Sequence, residues 1–266
     1  MNRIFLLGDI HGDWRPIAEL NNRLVDKLDE TDIIILLGDV GANYFLNARD
    51  AKFKTALGKF GCTFFCIRGN HEERPSNLID RSSDWFYSEY FNGTVYEEKG
   101  YPYIKYAMDH PFLYNINGYL TLIIPGAYSV DKDYRLMQGW NWFKDEQLTD
   151  LEKETGRILV DKVDRKVDLV LSHTCPIVYE PTDLFLSFIN QKFVDKSMER
   201  YLGELEYKLD YKLWCWGHFH KFRVYPEYEG RQCIMLFNDA AIELNETMES
   251  LKMEGIRNGK TYIKTY

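Results

Sequence analysis

The sequence predicts an α/β fold in which buried strands are covered by helices or by a second sheet. Six short runs are apolar at nearly every position, which indicates strands that are buried on both faces. Segments with helical periodicity separate the first three runs, as crossover connections between parallel strands require. The six predicted strands are residues 4–7, 33–37, 63–67, 120–124, 169–171 and 213–216.

Two segments between the first three strands have the features of helices. In residues 15–28, apolar side chains recur every three or four positions, and residues 45–60 are long enough for a second crossover helix. Pro16 suits the first turn of the first helix, where its missing N–H costs nothing, and Asp13 is the predicted N-cap. The first third of the chain is therefore predicted to be βαβαβ.

The second half of the chain has a different pattern. Residues 184–209 are predicted to be mainly helical, and residues 222–225 and 232–237 are predicted to pair around a turn at Gly230. The dipeptide Asn258-Gly259 predicts a hairpin between residues 255–257 and 260–263. No linker rich in Pro, Gly or Ser and no repeat interrupts the chain, so we expect one domain over residues 1–266.

Composition excludes several classes of function. The 266 residues include 33 Lys and Arg against 41 Asp and Glu, a net charge of −8, so long nucleic acid is not an expected substrate. No apolar stretch is long enough to span a membrane, and we expect no membrane partner and a cytoplasmic protein. The five cysteines lack CxxC spacing, which favours reduced, buried thiols over a structural zinc site.

Polar residues that bind metals follow five of the predicted strands. Because the carboxyl ends of strands in an open α/β sheet share one edge, these side chains are expected to meet there. Five of the six histidines occupy such positions, which a series of unrelated caps and turn residues does not explain. A small residue directly precedes the first of these polar residues after each strand and allows a sharp turn there: Gly8, Gly38, Gly69, Ser172 and Gly217. The residues are Asp9, His11, Asp39, Asn70, His71, His173, His218 and His220.

This set of donors indicates two divalent ions that share a carboxylate. Asp, Asn and His without a thiolate favour Mn²⁺, which we expect first, or Fe, Zn²⁺, Ni²⁺ or Co²⁺. Even seven of these eight residues are too many ligands for one tetrahedral or octahedral ion. Two ions about 3.5 to 4 Å apart form the clamp used for displacement at phosphorus.

At these residues the sequence resembles the calcineurin-like metallophosphoesterases, including a branch found in bacteria and phages. The family motifs stand in the family's order over about 210 residues, and as a set they are highly specific. They are Gly8-Asp9-Ile10-His11-Gly12, Gly38-Asp39, Gly69-Asn70-His71-Glu72, Ser172-His173 and Gly217-His218-Phe219-His220.

The resemblance implies two packed mixed β-sheets flanked by helices, with the metals at the carboxyl ends of the strands. It implies that Asp9, His11 and His220 hold one ion and that Asn70, His173 and His218 hold the other. Asp39 bridges the two ions, and a hydroxide that also bridges them attacks phosphorus. His71 then stabilises the transition state or protonates the leaving oxygen, and Asn70 and His71 contact substrate.

One departure from the family pattern bears on the substrate. Protein phosphatases of the family follow the bridging aspartate with an Asp-Arg-Gly turn whose arginine grips phosphate, whereas residues 40–43 are Val-Gly-Ala-Asn. Residues 126–132 with Arg135 resemble a segment of the bacterial and phage branch. We therefore expect Arg135 to bind the substrate phosphate and Asp131 to orient a neighbour. The alternative is a surface loop with an internal salt bridge.

The expected substrates are phosphodiesters or small phosphoesters, including nucleotides. Residues 84–115 are rich in aromatics, with eleven between Trp85 and Tyr114, and either cap the site or pack as an edge element. The alternatives are a serine/threonine-type phosphoprotein phosphatase, weakened by the missing arginine turn, and a noncatalytic scaffold for protein partners, which predicts lost ligands. The sequence shows no lost ligand and identifies no protein partner.

Overall fold

The computed structural model describes residues 3–244, 250–256 and 261–265. Within these residues the strands are β1 (Ile4–Leu7), β2 (Ile33–Leu37), β3 (Thr63–Ile67), β4 (Trp85–Tyr90), β5 (Gly93–Glu98), β6 (Ile104–Tyr106), β7 (Phe112–Ile116), β8 (Tyr119–Ile124), β9 (Leu169–Ser172), β10 (Leu213–Trp216), β11 (Arg223–Val224), β12 (Gln232–Met235), β13 (Ala240–Leu244), β14 (Ser250–Gly255) and β15 (Thr261–Thr265). The α-helices are α1 (Arg15–Arg23), α2 (Ala48–Leu57), α3 (Pro75–Ile79), α4 (Lys132–Met137), α5 (Asp150–Lys162) and α6 (Ser197–Lys208).

The strands form two mixed sheets. The larger sheet has the order β15-β14-β13-β1-β2-β3-β6-β5-β4, and the smaller has the order β11-β12-β10-β9-β8-β7. The strands β1, β2 and β3 are parallel, as are β8, β9 and β10. Each sheet therefore presents several strand carboxyl ends at one edge, as predicted.

Every strand at the centre of the sheets is buried on both faces, because each sheet packs against the other sheet on one face and against helices on the other. In β1, Ile4 and Leu6 contribute to an apolar core shared with the smaller sheet, whereas Phe5 and Leu7 pack in a second core with α1 and α2. A third core joins the outer face of the smaller sheet to α5 and α6. Two packed mixed sheets flanked by helices are thus confirmed. Burial of both faces of the central strands explains the uninterrupted apolar runs in the sequence.

The first predicted helix is shorter than residues 15–28, and its N-cap is not Asp13. Trp14 is the N-cap. The Asp13 carboxylate, one residue before it, accepts a hydrogen bond from the N–H of Arg15, the first residue of the helix (3.0 Å). The helix ends at Arg23 because the Lys27 ammonium binds carbonyl oxygens of residues 21, 22 and 24. Leu24 is extended but still buried, so its apolar spacing reflects the core and not a helix.

The helical prediction for residues 184–209 is wrong in its first half. Only Ser197–Lys208 forms an α-helix, and the preceding residues form short 3₁₀ turns and loops. Phe188 and Phe193 are 78% and 82% exposed, so their spacing does not build a buried helical face. Gly203 lies within this helix, and Ile177 packs where a Cβ at this position would lie.

Other predicted elements differ mainly in their ends. The second crossover helix begins at Ala48, after an Asn47 cap, and continues as a 3₁₀ turn at Gly58–Phe60. The strands β11 and β12 pair antiparallel, with Gly230 in a left-handed turn, but both are shorter than predicted. A hairpin joins β14 and β15, while the Asn258-Gly259 turn lies outside the described residues.

The aromatic residues of 84–115 lie mostly in β4 to β7 and the loops between them. The strands β4, β5 and β6 form the end of the larger sheet, and β7 is the edge of the smaller one. Tyr96, Tyr106 and Tyr114 are buried in the apolar cores. The segment is thus a packed edge element, the alternative given above.

All five cysteines are buried and free, as predicted. Burial raises the pKa of the Cys175 thiol well above its usual range. No helix in the described part of the chain has the length and apolarity to cross a membrane.

Candidate metal centre

The strand ends of both sheets bring the predicted ligands together. Asp9, Asp39 and Asn70 follow the adjacent strands β1, β2 and β3 of the larger sheet. His173 and His218 follow β9 and β10, which are adjacent in the smaller sheet. The site therefore lies where the carboxyl-end edges of the two sheets face each other.

One group of side chains at this edge contains two exposed histidines; we call the buried Asp9 and the exposed His11 and His220 the open half. Together with Asp39 they offer one ligand atom each within 4.8 Å of one another. The His11 and His220 Nε2 atoms are 2.9 Å apart, and His220 Nε2 lies 3.4 Å from Asp9 Oδ2. This group is a candidate site for a metal ion.

A second group lies deeper; we call Asn70, His173 and His218 the deep half. His173 Nε2 is 2.9 Å from Asn70 Oδ1 and 3.5 Å from Asp39 Oδ1. The His218 ring packs edge-on against that of His173, with centroids 5.1 Å apart. Asp39 lies between the halves, because its Oδ2 is 4.0 Å from His11 Nε2 in the open half.

The hydrogen bonds of the deep half leave acceptor atoms facing each other. His173 Nδ1 donates to the carbonyl oxygen of Leu37 (2.7 Å), so in the neutral form of the ring Nε2 carries a lone pair. Asn70 Nδ2 donates to Ser129 Oγ (2.9 Å), which leaves its Oδ1 directed at His173. The lone pairs of Nε2, Oδ1 and the Asp39 carboxylate then converge without a hydrogen between them. A divalent cation fits this set of donors.

Burial and neighbouring charges shift the pKa values of the site residues. Burial raises the pKa of Asp39, but His71, His173 and His11 outweigh this effect and lower its pKa below the usual range. Burial lowers the pKa of His218 to about 3. The site therefore holds an ionised carboxylate beside a neutral imidazole, the forms that bind metals.

Four of the predicted ligands have a left-handed backbone. The φ angles of His11, Asp39, His218 and His220 are 46°, 48°, 69° and 52°. Non-glycine residues rarely adopt this conformation, which costs on the order of 1 to 3 kcal/mol at each position and is concentrated at functional sites. The sharp turns predicted after the strands thus fall on the ligands themselves as well as on preceding glycines.

Two glycines before ligands leave room for the carboxylates of other strands. A Cβ on Gly69 would lie 2.0 Å from Asp39 Oδ1, and one on Gly217 would lie 2.0 Å from Asp9 Oδ1. Residues one or two positions after these glycines complete the arrangement, because the His71 N–H donates to Asp39 and the His218 N–H donates to Asp9, both at 2.9 Å. Each turn therefore accommodates and orients a carboxylate from a neighbouring strand.

His71 and Arg135 lie beside the two halves. An Arg135 guanidinium nitrogen is 2.9 Å from His71 Nδ1, and a second one, Nε, donates to Asp131 at 2.8 Å. His71 Nε2 is 3.8 Å from Asp131 Oδ1. Burial lowers the pKa of His71, but Asp39 and Asp131 outweigh it and raise that pKa. Arg135 is only 7% exposed, and it contacts His71 as well as forming the salt bridge with Asp131.

Two cavities open on either side of His71, which lines both. The first, of about 540 Å³, is also lined by His11, Tyr44 and Arg135. The second, of about 370 Å³, is also lined by Asp39, Asn70, Asp131, His218 and His220. None of the residues that line either cavity belongs to the aromatic segment 84–115.

The sequence interpretation missed several residues that support the site. Glu146 accepts hydrogen bonds from the N–H and hydroxyl of Ser129, which in turn accepts from Asn70. The Glu72 carboxylate accepts the Gly41 N–H at 2.9 Å and thereby joins the loops after β2 and β3. Glu72 stands next to His71 in its motif and was detectable there. Glu146 has no such signal, since it reaches the site only through the fold.

Comparisons with known proteins agree with this fold. A family model described as calcineurin-like phosphoesterase matches residues 2–222. TT1561 of Thermus thermophilus has a similar structure, with a TM-score of 0.52 and 11% identity over 99% of this chain and 98% of that one. A dimetal phosphatase from Danio rerio has a TM-score of 0.52 and 12% identity over 100% and 99% of the two chains. A search of curated proteins gives no significant match.

Proposed function

Because the chain belongs to the calcineurin-like phosphoesterase family, whose members are metal-dependent hydrolases of phosphoric esters, we propose that it cleaves phosphodiesters. The observation that carries this proposal is the position of His71 between two cavities. A diester has two organic groups on phosphorus, whereas a monoester has one. Each cavity gives one of these groups a place beside the candidate metal centre.

The proposed ligand sets follow the two halves of the site. Asp9, His11 and His220 would hold one ion, Asn70, His173 and His218 would hold the other, and Asp39 would be shared by both. Two divalent ions, with Mn²⁺ as the first candidate, supply Lewis acidity that polarises the phosphoryl group and activates water when they are bound. The convergence of acceptor atoms in the deep half supports this assignment.

Hydrolysis adds water across one P–O bond of the substrate. The water oxygen forms a new bond to phosphorus, the bond to one alkoxy or aryloxy group breaks, and that leaving oxygen takes up a proton. His71 is the proposed proton donor, because it lies where both organic groups approach the site. Arg135 is proposed to bind a phosphate oxygen, and its contact with His71 supports the assignment of both side chains to the same phosphoryl group.

Hydrolysis of phosphomonoesters, including phosphoproteins, is the alternative. The similar structure from Danio rerio, which is that of a dimetal phosphatase, is compatible with it. Residues 40–43 lack the arginine turn expected of protein phosphatases, and Arg135 approaches from α4. The part of the second cavity lined by Leu184, Phe185 and Ile189, away from the predicted ligands, also has no role in the cleavage of a small monoester.

The test compares two chromogenic substrates on the purified protein with added Mn²⁺. We expect bis-p-nitrophenyl phosphate to be cleaved with a higher kcat/KM than p-nitrophenyl phosphate. Bound metal is quantified in the same preparation, so that an inactive protein can be distinguished from a metal-free one. Faster cleavage of the monoester supports the phosphatase alternative. Two bound ions with neither activity contradict the proposal.

A further inference from the structure

The two cavities beside His71 differ in charge. In the described part of the chain, the first cavity is lined by Arg49, Arg135, His11 and His71 and by no Asp or Glu. The second is lined by five carboxylates (Asp39, Asp131, Glu180, Asp195 and Glu199), one lysine (Lys196) and three histidines (His71, His218 and His220). In a chain with a net charge of −8, the first cavity is thus a local site for anions.

The walls of the first cavity are aromatic as well as cationic. Tyr44, Phe45 and Trp140 line it, and Trp140 is 51% exposed. The Asn141 side chain donates to the Tyr44 carbonyl oxygen at 2.6 Å, which ties the wall that contains Trp140 to the wall that contains Tyr44. Aromatic side chains at the wall of an open cavity are suited to stacking on a planar group, which contributes about 1 to 3 kcal/mol for a nucleobase.

Arg49 provides this cavity with a second cation. Its guanidinium lies over the Phe45 ring, 3.5 Å from the centroid. Among the described residues, no carboxylate oxygen lies within 4.0 Å of that guanidinium, whereas Arg135 is paired with Asp131. Arg49 is therefore positioned on an aromatic ring with its hydrogen-bond donors available to a ligand.

We propose that the first cavity binds a nucleotide that carries a second phosphate, with its base among the aromatic walls and its second phosphate on Arg49. The inference rests on the proposed function, since the scissile phosphodiester lies beside His71 and Arg135. Cavity volume supports it, because about 540 Å³ accommodates a group of nucleotide size. The substrate class is therefore a short oligonucleotide with a terminal phosphate, and the acidic second cavity takes the group on the other side of the scissile phosphorus.

The experiment compares the 5′-phosphorylated dinucleotide pApA with ApA, which lacks the terminal phosphate. With the Mn²⁺-loaded protein, we expect kcat/KM for pApA to exceed that for ApA about 10-fold, as for a single charge-assisted contact. In Arg49→Ala the ratio should fall to about 1. Lys52→Ala removes an exposed cation from the same helix that does not line the cavity, and it should keep the wild-type ratio.

A second measurement uses only the wild-type protein. Adenosine 3′,5′-bisphosphate should inhibit hydrolysis of bis-p-nitrophenyl phosphate at about 10-fold lower concentration than 5′-AMP. Equal use of pApA and ApA, equal inhibition, or an unchanged ratio in Arg49→Ala would overturn the assignment of the second phosphate to Arg49. If bis-p-nitrophenyl phosphate is cleaved but neither dinucleotide is, the nucleotide inference fails and the diesterase function stands. If that diester is not cleaved, the proposed function itself fails.

Discussion

The open and deep halves of the candidate metal centre contain similar donors but are built differently. The side chains of His11 and His220 are 34% and 50% exposed, whereas His173 is fully buried. In the deep half, His173 and Asn70 are each oriented by a hydrogen bond to Leu37 or Ser129. Buried, oriented ligands hold an ion with little rearrangement, so we expect the deep half to bind its ion more tightly.

The largest expected effect comes from the residue that belongs to both halves. Asp39→Asn removes the shared negative charge, so both ions should bind more weakly and activity should fall on the order of 10⁴-fold. Metal content by elemental analysis and kcat on bis-p-nitrophenyl phosphate measure these losses. Asp80→Asn, at an exposed aspartate, is the control. Two ions per chain in Asp39→Asn would contradict a bridging role.

His71 belongs to neither half, so a substitution of His71 distinguishes an effect on metal binding from an effect on the chemical step. His71→Asn should retain both ions and lose activity by about 10²- to 10⁴-fold, as for a lost proton donor. The same two measurements apply. Full activity would exclude the proposed role, and loss of an ion would make His71 a ligand.

Matched substitutions in the two halves test the comparison directly. His173→Asn should lower the free energy of unfolding by about 2 to 3 kcal/mol, because it opens a cavity and leaves the Leu37 carbonyl unpaired. His11→Asn should change it by less than about 0.5 kcal/mol, since Asn tolerates the left-handed backbone at φ 46°. Urea unfolding of the metal-free proteins measures both values.

The matching measurement is metal content. Each variant should lose one ion, and His173→Asn should lose the one that dialysis against a chelator removes more slowly from the wild-type protein. Equal stability losses in the two variants would mean that the halves do not differ as their burial indicates.

Substitutions of Arg135 test whether this residue contributes to substrate binding and not to metal binding. Arg135→Ala should leave both ions bound and lower kcat/KM about 10- to 100-fold, because a charge-assisted contact with phosphate is lost. Arg135→Lys, which keeps the charge but not the fork of donors, should recover part of the activity. Unaltered kinetics in Arg135→Ala would remove it from the site.

The sequence predicted the positions of the candidate ligands at the strand ends better than it predicted the segments around them. Asp9, Asp39, Asn70, His173 and His218 each follow a buried strand, and short buried strands keep the register of the next residue. Longer-range packing limited the rest. The segment before α6 has the apolar spacing of a helix, yet Phe188 and Phe193 point to solvent and other residues line the second cavity. Local periodicity does not distinguish a core face from a cavity wall.

The hydrogen bond between Ser129 and Asn70 is also a contact that local sequence does not reveal. Substitution of Ser129 gives the smallest expected effect. It precedes α4 and reaches Asn70 only because Glu146, which precedes α5, accepts both its hydroxyl and its N–H. In Ser129→Ala the Asn70 Nδ2 group loses the hydroxyl that accepts its hydrogen bond, and the amide can rotate. Affinity for the ion in the deep half should therefore fall about 10-fold. Because Ser129 contacts only the deep half, the open ion should bind as in the wild type, with Ser82→Ala as the control. Titration of the metal-free protein with Mn²⁺ resolves the two sites, and equal weakening of both would mean that the halves are not oriented independently.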